Sequence, residues 1–491
     1  SFAEKVVDYP RCDVDGRHMV DTWLLLQLYD IAARDLDGYG LPEAGIYFGT
    51  LRDDSVLDTD DTAQRARISV EQVARIAELL SQSYFLQTQM LPYNYQDCVL
   101  RGNATKINAL FLREYLRRRH TIPPVPDDYN TYEGGYTQIF EEGVISNIVH
   151  CDVASLYPSL MLVYRLAPRQ DELAMFLPLL SDLRTFRLQA KRQALDAATP
   201  DDRHHYNALQ QTFKIFINSF YGYLGTSFSN FADTAMAAEV TQKGRDLINQ
   251  VIDELRRHGC RPIEIDTDGV YFVPPPGREG ASVVDEISQA LPTGLKLETD
   301  ATYPAMFSHK TKNYALLTSD GELVIKGSGL KSRGVEKYLR DLTEEIIRRL
   351  LQGRAQELPG LYDELISRLA THQLPIRMLT KTETLSESLD SYQQKVQAKK
   401  RNAAAAYELA LKTGRRMRPG DRVTYYVAGE AKKVRLFDQC KLVKDYARDE
   451  NVAYYQQKAK ETFERFLPYY PAESPLQARL GKLKAVQQEL L

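Results

Sequence analysis

At 491 residues, with 43% apolar and 26% charged side chains, the chain is too long for one core and has the make-up of an ordinary folded protein of about three domains. A net charge of −3 does not by itself announce a nucleic-acid binder, and no apolar run reaches the length of a membrane span. The five cysteines, Cys12, Cys98, Cys151, Cys260 and Cys440, are scattered without a Cys-x-x-Cys pair, which argues against a disulfide framework or a zinc or iron–sulfur module and for a reducing compartment.

Val70 to Arg119 is rich in helix formers, with apolar positions recurring at three and four, and predicts linked helices. Ile122-Pro123-Pro124-Val125-Pro126 stops them, because proline brings no N–H and clashes with the preceding turn. In Tyr132-Glu133-Gly134-Gly135-Tyr136 the paired glycines make either an ordinary turn or a place where a nucleic-acid strand comes close to backbone. From Val149 to Leu160 an apolar approach ends in Asp152, and a small-residue turn then leads into a helix start. This predicts a buried strand with Asp152 at its tip, a corner that offers a carboxylate to a divalent cation and backbone amides to a phosphate. Alone, Asp152 is equally well a helix cap.

Leu180 to Gln193 reads as a helix carrying Arg187 and Lys191 at i and i+4, a pattern that is more often only a solvated face. A turn at Thr199-Pro200-Asp201-Asp202 follows, with Asp201 or Asp202 capping a return helix. On that helix Lys214, Asn218 and Tyr221 share one face, offering a cation, an amide and an aromatic plate to a nucleoside triphosphate. A plain core helix explains Phe216, Ile217 and Phe220 but not Lys214. Ile263 to Phe272 predicts two short strands around an Asp-rich turn containing Asp266, Asp268 and Gly269. One aspartate cannot hold two metals, and two-metal nucleotidyl transfer uses carboxylates from two strand tips to hold ions about 3.5–4 Å apart. Helices return from about Glu336, and from Thr371 onward 23 Lys and Arg stand against 14 Asp and Glu, a basic part joined to an acidic remainder.

The segments Asp152-Val153-Ala154-Ser155-Leu156-Tyr157-Pro158-Ser159, Lys214 to Gly222, and Glu264-Ile265-Asp266-Thr267-Asp268-Gly269 occur in the order of motifs A, B and C of the family B DNA polymerases, and the chain resembles that family over nearly its whole length. The resemblance implies an α+β right-hand polymerase with palm, helical-hairpin fingers and thumb, preceded by the C-terminal part of an RNase H-like exonuclease domain. It divides the chain into an inactive partial exonuclease domain with linking helices (1–120), palm (121–170 with motif A and 225–335 with motif C), fingers (171–224) and thumb (336–491). The best alignment of the third exonuclease motif puts Ser69 or Val70 where an aspartate belongs, and the upstream acidic motifs are missing. The chain is therefore expected to be a fragment of a longer polypeptide and to lack proofreading, which suits repair or lesion bypass.

The implied reaction is template-directed addition of dNTPs to a primer 3′-hydroxyl with two Mg²⁺ ions, Mn²⁺ being able to substitute. Asp152, Asp268 and the Val153 carbonyl are the implied metal ligands, with Asp266 a secondary ligand or orienter. Ser155, Leu156, Tyr157, Arg187, Lys191, Lys214 and Asn218 are implied at the nucleotide, with Tyr157 under the sugar. Tyr132, Gly134, Gly135, Tyr221, Gly222, Lys310, Lys312, Tyr314, Lys326 and Arg333 are implied at primer–template DNA. Glu264 stands where most members carry tyrosine and is expected to face the same side as Asp266 and Asp268, adding negative charge. No membrane partner is implied, the resemblance does not identify a processivity factor, and the location is cytoplasmic, at the nucleoid, for a prokaryotic host. A catalytically silent DNA-binding scaffold is the alternative; a nuclease is disfavoured by the missing exonuclease carboxylates.

Overall fold

Alternating apolar residues that end in acidic tips are realised as a seven-stranded sheet. The computed structural model describes residues 11–33, 36, 38–52, 61–127, 130–331, 334–414, 417, 419, 421–431 and 434–470. The chain divides into two units, one of Ser1–Tyr136, Val153–Val251 and Ile287–Glu298, the other of Thr137–Asp152, Ile252–Glu286 and Thr299–Leu491.

The second unit carries the sheet, apart from Val153 at the end of β2 and the first two residues of β5: β1 (Thr137–Ile139), β2 (Gly143–Val153), β3 (Arg261–Asp266), β4 (Gly269–Val273), β5 (Leu297–Lys310), β6 (Asn313–Leu317) and β7 (Leu323–Lys326), in the order β1-β3-β4-β2-β5-β6-β7. The pairs β1–β3, β3–β4, β2–β4, β5–β6 and β6–β7 are antiparallel. Ile145, Ile148, Ile263, Tyr271, Met306 and Leu316 form a buried layer on the sheet. A larger core joins Phe307 and Ala315 to the helices Lys337–Leu351, Leu358–Ala370 and Val452–Arg465 and to the three-stranded sheet of β8 (Lys381–Thr384), β9 (Arg422–Val427) and β10 (Cys440–Leu442). Within it the fully buried Tyr455 hydroxyl accepts from Val427 N–H (2.8 Å) and donates to Leu379 C=O (3.0 Å), so this large aromatic is buried without an unmet polar group.

The first unit is helical. Helix Thr62–Met90 starts at Asp61, whose carboxylate accepts from Ala63 and Gln64 N–H, and it carries Ser69 and Val70 in its interior. Helices Phe176–Asp196 and Pro200–Leu224 form the expected hairpin. The first begins earlier than its charge pattern suggests, because Phe176 and Leu180 are buried and Asp171 accepts from Phe176 N–H at 2.7 Å. The return helix is capped by Thr199, not by Asp201 or Asp202. Proline suits the first helical position, where its missing N–H is an orphan anyway, so the cap falls one residue before Pro200. Thr199 Oγ accepts from Asp202 N–H and donates to the Asp202 carboxylate. Phe111 of helix Asn103–Arg117 stacks on Phe176 and Tyr223, fastening both legs of the hairpin at its root.

Arg333 and the residues after Tyr470 lie outside the described residues. Among the described residues, no helix is long and apolar enough to cross a membrane.

Candidate active site

The second unit gathers carboxylates at one end of its sheet. β2 and β4 pair with Asp152 opposite Gly269, and β3 and β4 pair with Asp266 opposite the same glycine. Asp152 and Asp266 thus flank β4 at one level, about 5 Å from it in Cα separation on either side. Between β3 and β4, Thr267 takes a left-handed conformation (φ 65°) and Asp268 N–H donates to Asp266 C=O at 2.8 Å, so the turn carrying Asp268 closes tightly.

Each member of the corner has defined partners. Asp266 accepts from the Tyr314 hydroxyl at 2.9 Å and lies 3.4 Å from Lys312 Nζ, which also reaches Thr267 Oγ1 at 3.0 Å. Tyr271 and Tyr314 share a hydroxyl hydrogen bond of 3.0 Å. The Asp268 carboxyl is held above the ordinary range, first by desolvation in the crowded corner and then by the Asp266 charge, with its own N–H, His150 and Lys312 acting the other way. Glu264 lies two residues before Asp266 on the regularly paired β3, so strand alternation gives the two the same side. It is fully buried, accepting from Ser308 Oγ at 3.1 Å and from Lys312 N–H at 2.9 Å, and burial pushes it up to about 7. The turn breaks the strand alternation after Asp266, which is why the common face expected from sequence spacing does not extend to Asp268.

His150 carries no signal in the sequence. It stands two residues before Asp152 on β2, stacks on Tyr271 at 4.2 Å and bonds Asp300 through Nδ1 at 3.0 Å. A Cβ at Gly269 would fall 2.4 Å from His150 Nε2 and 3.1 Å from the Cys151 carbonyl, so the imidazole fills the space a side chain would need. Among the described residues no group of three or more His, Cys, Asp and Glu is set as a ligand cluster. The corner nonetheless fits a hard divalent cation: its donors are carboxylate oxygens, and Mg²⁺ characteristically takes one or two of these and fills its shell with water and phosphate oxygen.

The first unit gathers groups suited to a nucleotide. Ser155 is left-handed (φ 50°, ψ 59°) immediately before helix Leu156–Tyr164, turning the backbone into a helix start that no side chain caps. Arg187 Nη1 lies 3.5 Å from Ser155 Oγ, while its buried Nε has no hydrogen-bond partner among the described residues. Burial, then the neighbouring Arg184, hold its pKa below the usual arginine range, the mark of a cation short of counter-charge. Tyr157 packs on Tyr221 with ring centroids 4.4 Å apart, and a Cβ at Gly244 would touch its ring at 3.2 Å. Lys191, Lys214 and Asn218 are exposed, without ion pair or hydrogen bond among the described residues.

The Gly-Gly segment is held by residues that sequence reasoning missed. Arg245 donates to the Glu133 and Gly134 carbonyls at 3.1 and 2.8 Å, and Thr241 Oγ1 donates to Glu133 C=O at 2.9 Å. Thr241, Gly244 and Arg245 recur at three and four along helix Thr234–Arg257, the signal that marked this face. A Cβ placed at Gly134 or Gly222 would meet no neighbouring side chain or segment within 4 Å, so neither position is crowded. Of the other candidate DNA contacts, Lys310 and Lys326 are exposed at the ends of β5 and β7, whereas Tyr314 is buried with its hydroxyl given to Asp266.

A family model described as DNA polymerase family B matches residues 169–271 and 277–467. The chain is 26% identical over 401 residues to a DNA polymerase of Thermococcus sp. (strain 9oN-7), an alignment covering 74% of this chain and 51% of the relative. It is 24% identical over 470 residues to a DNA polymerase of Pyrococcus glycovorans, covering 86% and 60%. The chain thus spans about half the length of the curated relatives it matches. In fold it is similar to the family B DNA polymerase of the archaeon Pyrobaculum calidifontis, with a TM-score of 0.67 at 20% identity over 94% of this chain and 64% of that one.

Proposed function

The chain belongs to DNA polymerase family B, and we propose that it extends a primer 3′-hydroxyl on a DNA template with deoxynucleoside triphosphates. The observation that carries this reading is the corner at Gly269, where sheet register sets Asp152 beside β4 and the tight turn adds Asp268 and Asp266. On this reading Asp152, Asp268 and the Val153 carbonyl would hold two Mg²⁺ ions, which would supply Lewis-acid activation of the 3′-hydroxyl and charge neutralisation of the leaving pyrophosphate. Asp266 orients the turn, its own charge tempered by Lys312 and Tyr314. In the first unit the N–H groups at Ser155 and Leu156 donate to phosphate oxygens, and Arg187, Lys191 and Lys214 supply cations where charge shifts during transfer, with Asn218 supporting them. Arg187 suits this role because its buried Nε has no hydrogen-bond partner among the described residues while its Nη1 already lies beside Ser155. Tyr157, backed by Tyr221, lies against the sugar and leaves no room for a 2′-hydroxyl.

The same reading assigns palm to 121–170 and 225–335, fingers to 171–224, thumb to 336–491 and an inactive exonuclease remnant to 1–120, with Tyr132, Gly134, Gly135, Tyr221, Gly222, Lys310, Lys312, Lys326 and Arg333 at the DNA. It places the enzyme in a reducing, DNA-containing compartment, and the absence of a carboxylate at Ser69 and Val70 favours repair or bypass synthesis over accurate copying. Primer extension with Mg²⁺ and dNTPs tests the proposal: template-dependent products are expected, and duplex binding without extension would instead identify a silent scaffold.

A further inference from the structure

We infer that Glu264 is a positioning residue that sets the Lys312–Asp266 contact, an inference that rests on the polymerase reading. A carboxylate taken fully out of water is costly unless its oxygens are met, and both oxygens of Glu264 are met by the β5–β6 hairpin, one by Ser308 on β5 and one by Lys312 in the turn. Between β5 and β6 the strand bulges at Ser308–Lys310, and Lys312 takes the left-handed conformation (φ 59°) that a non-glycine residue keeps only when its surroundings over-determine it. Glu264 holds the Lys312 N–H at 2.9 Å. On the other side the Lys312 carbonyl abuts Gly327, where a Cβ would fall 2.0 Å away. The backbone of Lys312 thus has one place to be. From there its Nζ reaches Thr267 and Asp266, and Tyr314, two residues on, takes the other Asp266 oxygen. One buried carboxylate therefore fixes the loop whose two side chains grip Asp266 and the turn that carries Asp268.

Single-nucleotide incorporation by wild type, E264L, E264Q, S308A, K312M and E264L/K312M tests this. E264L is expected to lower kcat about 10- to 100-fold while changing KM for the nucleotide and Kd for primer–template less than about twofold, as expected when reacting groups are misplaced by about 1 Å. E264Q, whose amide oxygen accepts the same N–H, is expected to restore most of the rate. In the K312M background E264L is expected to cost little more, because its effect runs through Lys312. S308A removes one anchor without opening a large void, and its smaller loss in kcat decides the matter if E264L does not fold. Unchanged kcat in folded E264L or in S308A, an E264Q loss as large as that of E264L, or losses from E264L and K312M that multiply would each overturn the inference. Wild type that extends no primer would overturn the polymerase reading and the inference with it, whereas active wild type with an unaffected E264L overturns the inference alone.

Discussion

At the scale of single residues, the proposed chemistry depends on a few short side chains at strand ends. Asp152 pairs opposite Gly269 and Asp268 precedes that glycine in the turn, both remote in sequence from the basic C-terminal part. D152A and D268A are therefore each expected to lower primer extension at least about a thousandfold, roughly 4 kcal/mol of transition-state stabilisation, while leaving primer–template affinity largely intact. Extension by either purified variant at wild-type rate would disprove the metal assignment. Tyr157 is held by its packing on Tyr221 and by the glycine surface at Gly244. Y157A opens that space, and in a competition between a ribonucleotide and its deoxynucleotide the preference for the latter should fall at least about tenfold, or about 1.4 kcal/mol. An unchanged ratio would leave Tyr157 a packing residue only.

At the scale of elements, the helix Asn103–Arg117 carries an unusual cost. Lys106 is 2% exposed, its ammonium donating to Gln87 Oε1 at 2.7 Å, and burial lowers it to about 8. An unfolded lysine titrates near 10.4. The unfolded chain therefore binds more protons than the folded one between about pH 8 and 10.4, so this site's penalty is full below that window and is relieved as pH rises through it. K106M keeps the stem and removes the charge, and is expected to stabilise the protein by about 1 kcal/mol at pH 7, with an advantage that shrinks by pH 10. Denaturant unfolding of both proteins at the two pH values checks this; a constant difference would show that Lys106 folds without penalty.

At the scale of the whole molecule, DNA affinity should come from phosphate contacts and weaken with salt. The core behind the C-terminal helices includes Phe307 and Ala315 of the large sheet, so deleting those helices would unfold more than it removes, and charge reversal is the cleaner test. Lys399 and Lys400 are exposed between helices Leu389–Gln397 and Ala405–Lys412. K399E/K400E should weaken duplex binding and make the slope of log K against log salt shallower by about 0.9 for every phosphate that is no longer neutralised. An unchanged slope would remove this loop from the DNA surface. The chain should also extend a 3′-mismatched primer and, given Mg²⁺ without dNTPs, release no mononucleotide from it. Label released by a longer polypeptide that contains this chain, and abolished by changing upstream acidic residues, would show that proofreading survives and that the alignment at Ser69 is wrong.

The strand tips, the helical hairpin and the helix faces with their cations were legible in the sequence because they follow from local periodicity: two for strands, 3.6 for helices, with proline and glycine marking the ends. Asp152, Asp268, Arg187 and Lys214 each lie within such a local signal. The cap of the return helix falls at Thr199 and not at the acidic pair after it, because the helix-starting proline outranks an aspartate already inside the first turn. What no local window contained was pairing between distant segments. His150 meets Asp300 across 150 positions, Arg245 grips Gly134 across 111, and Glu264 takes the Lys312 amide across 48. The strand order β1-β3-β4-β2-β5-β6 brings the sheet's own members of these pairs together. Residue type marked the candidate side chains; register and burial decided that Glu264, on the same side of β3 as Asp266, is taken up by Ser308 and the Lys312 amide and that Gly269 makes room for an imidazole, because both outcomes depend on which atoms already occupy the space.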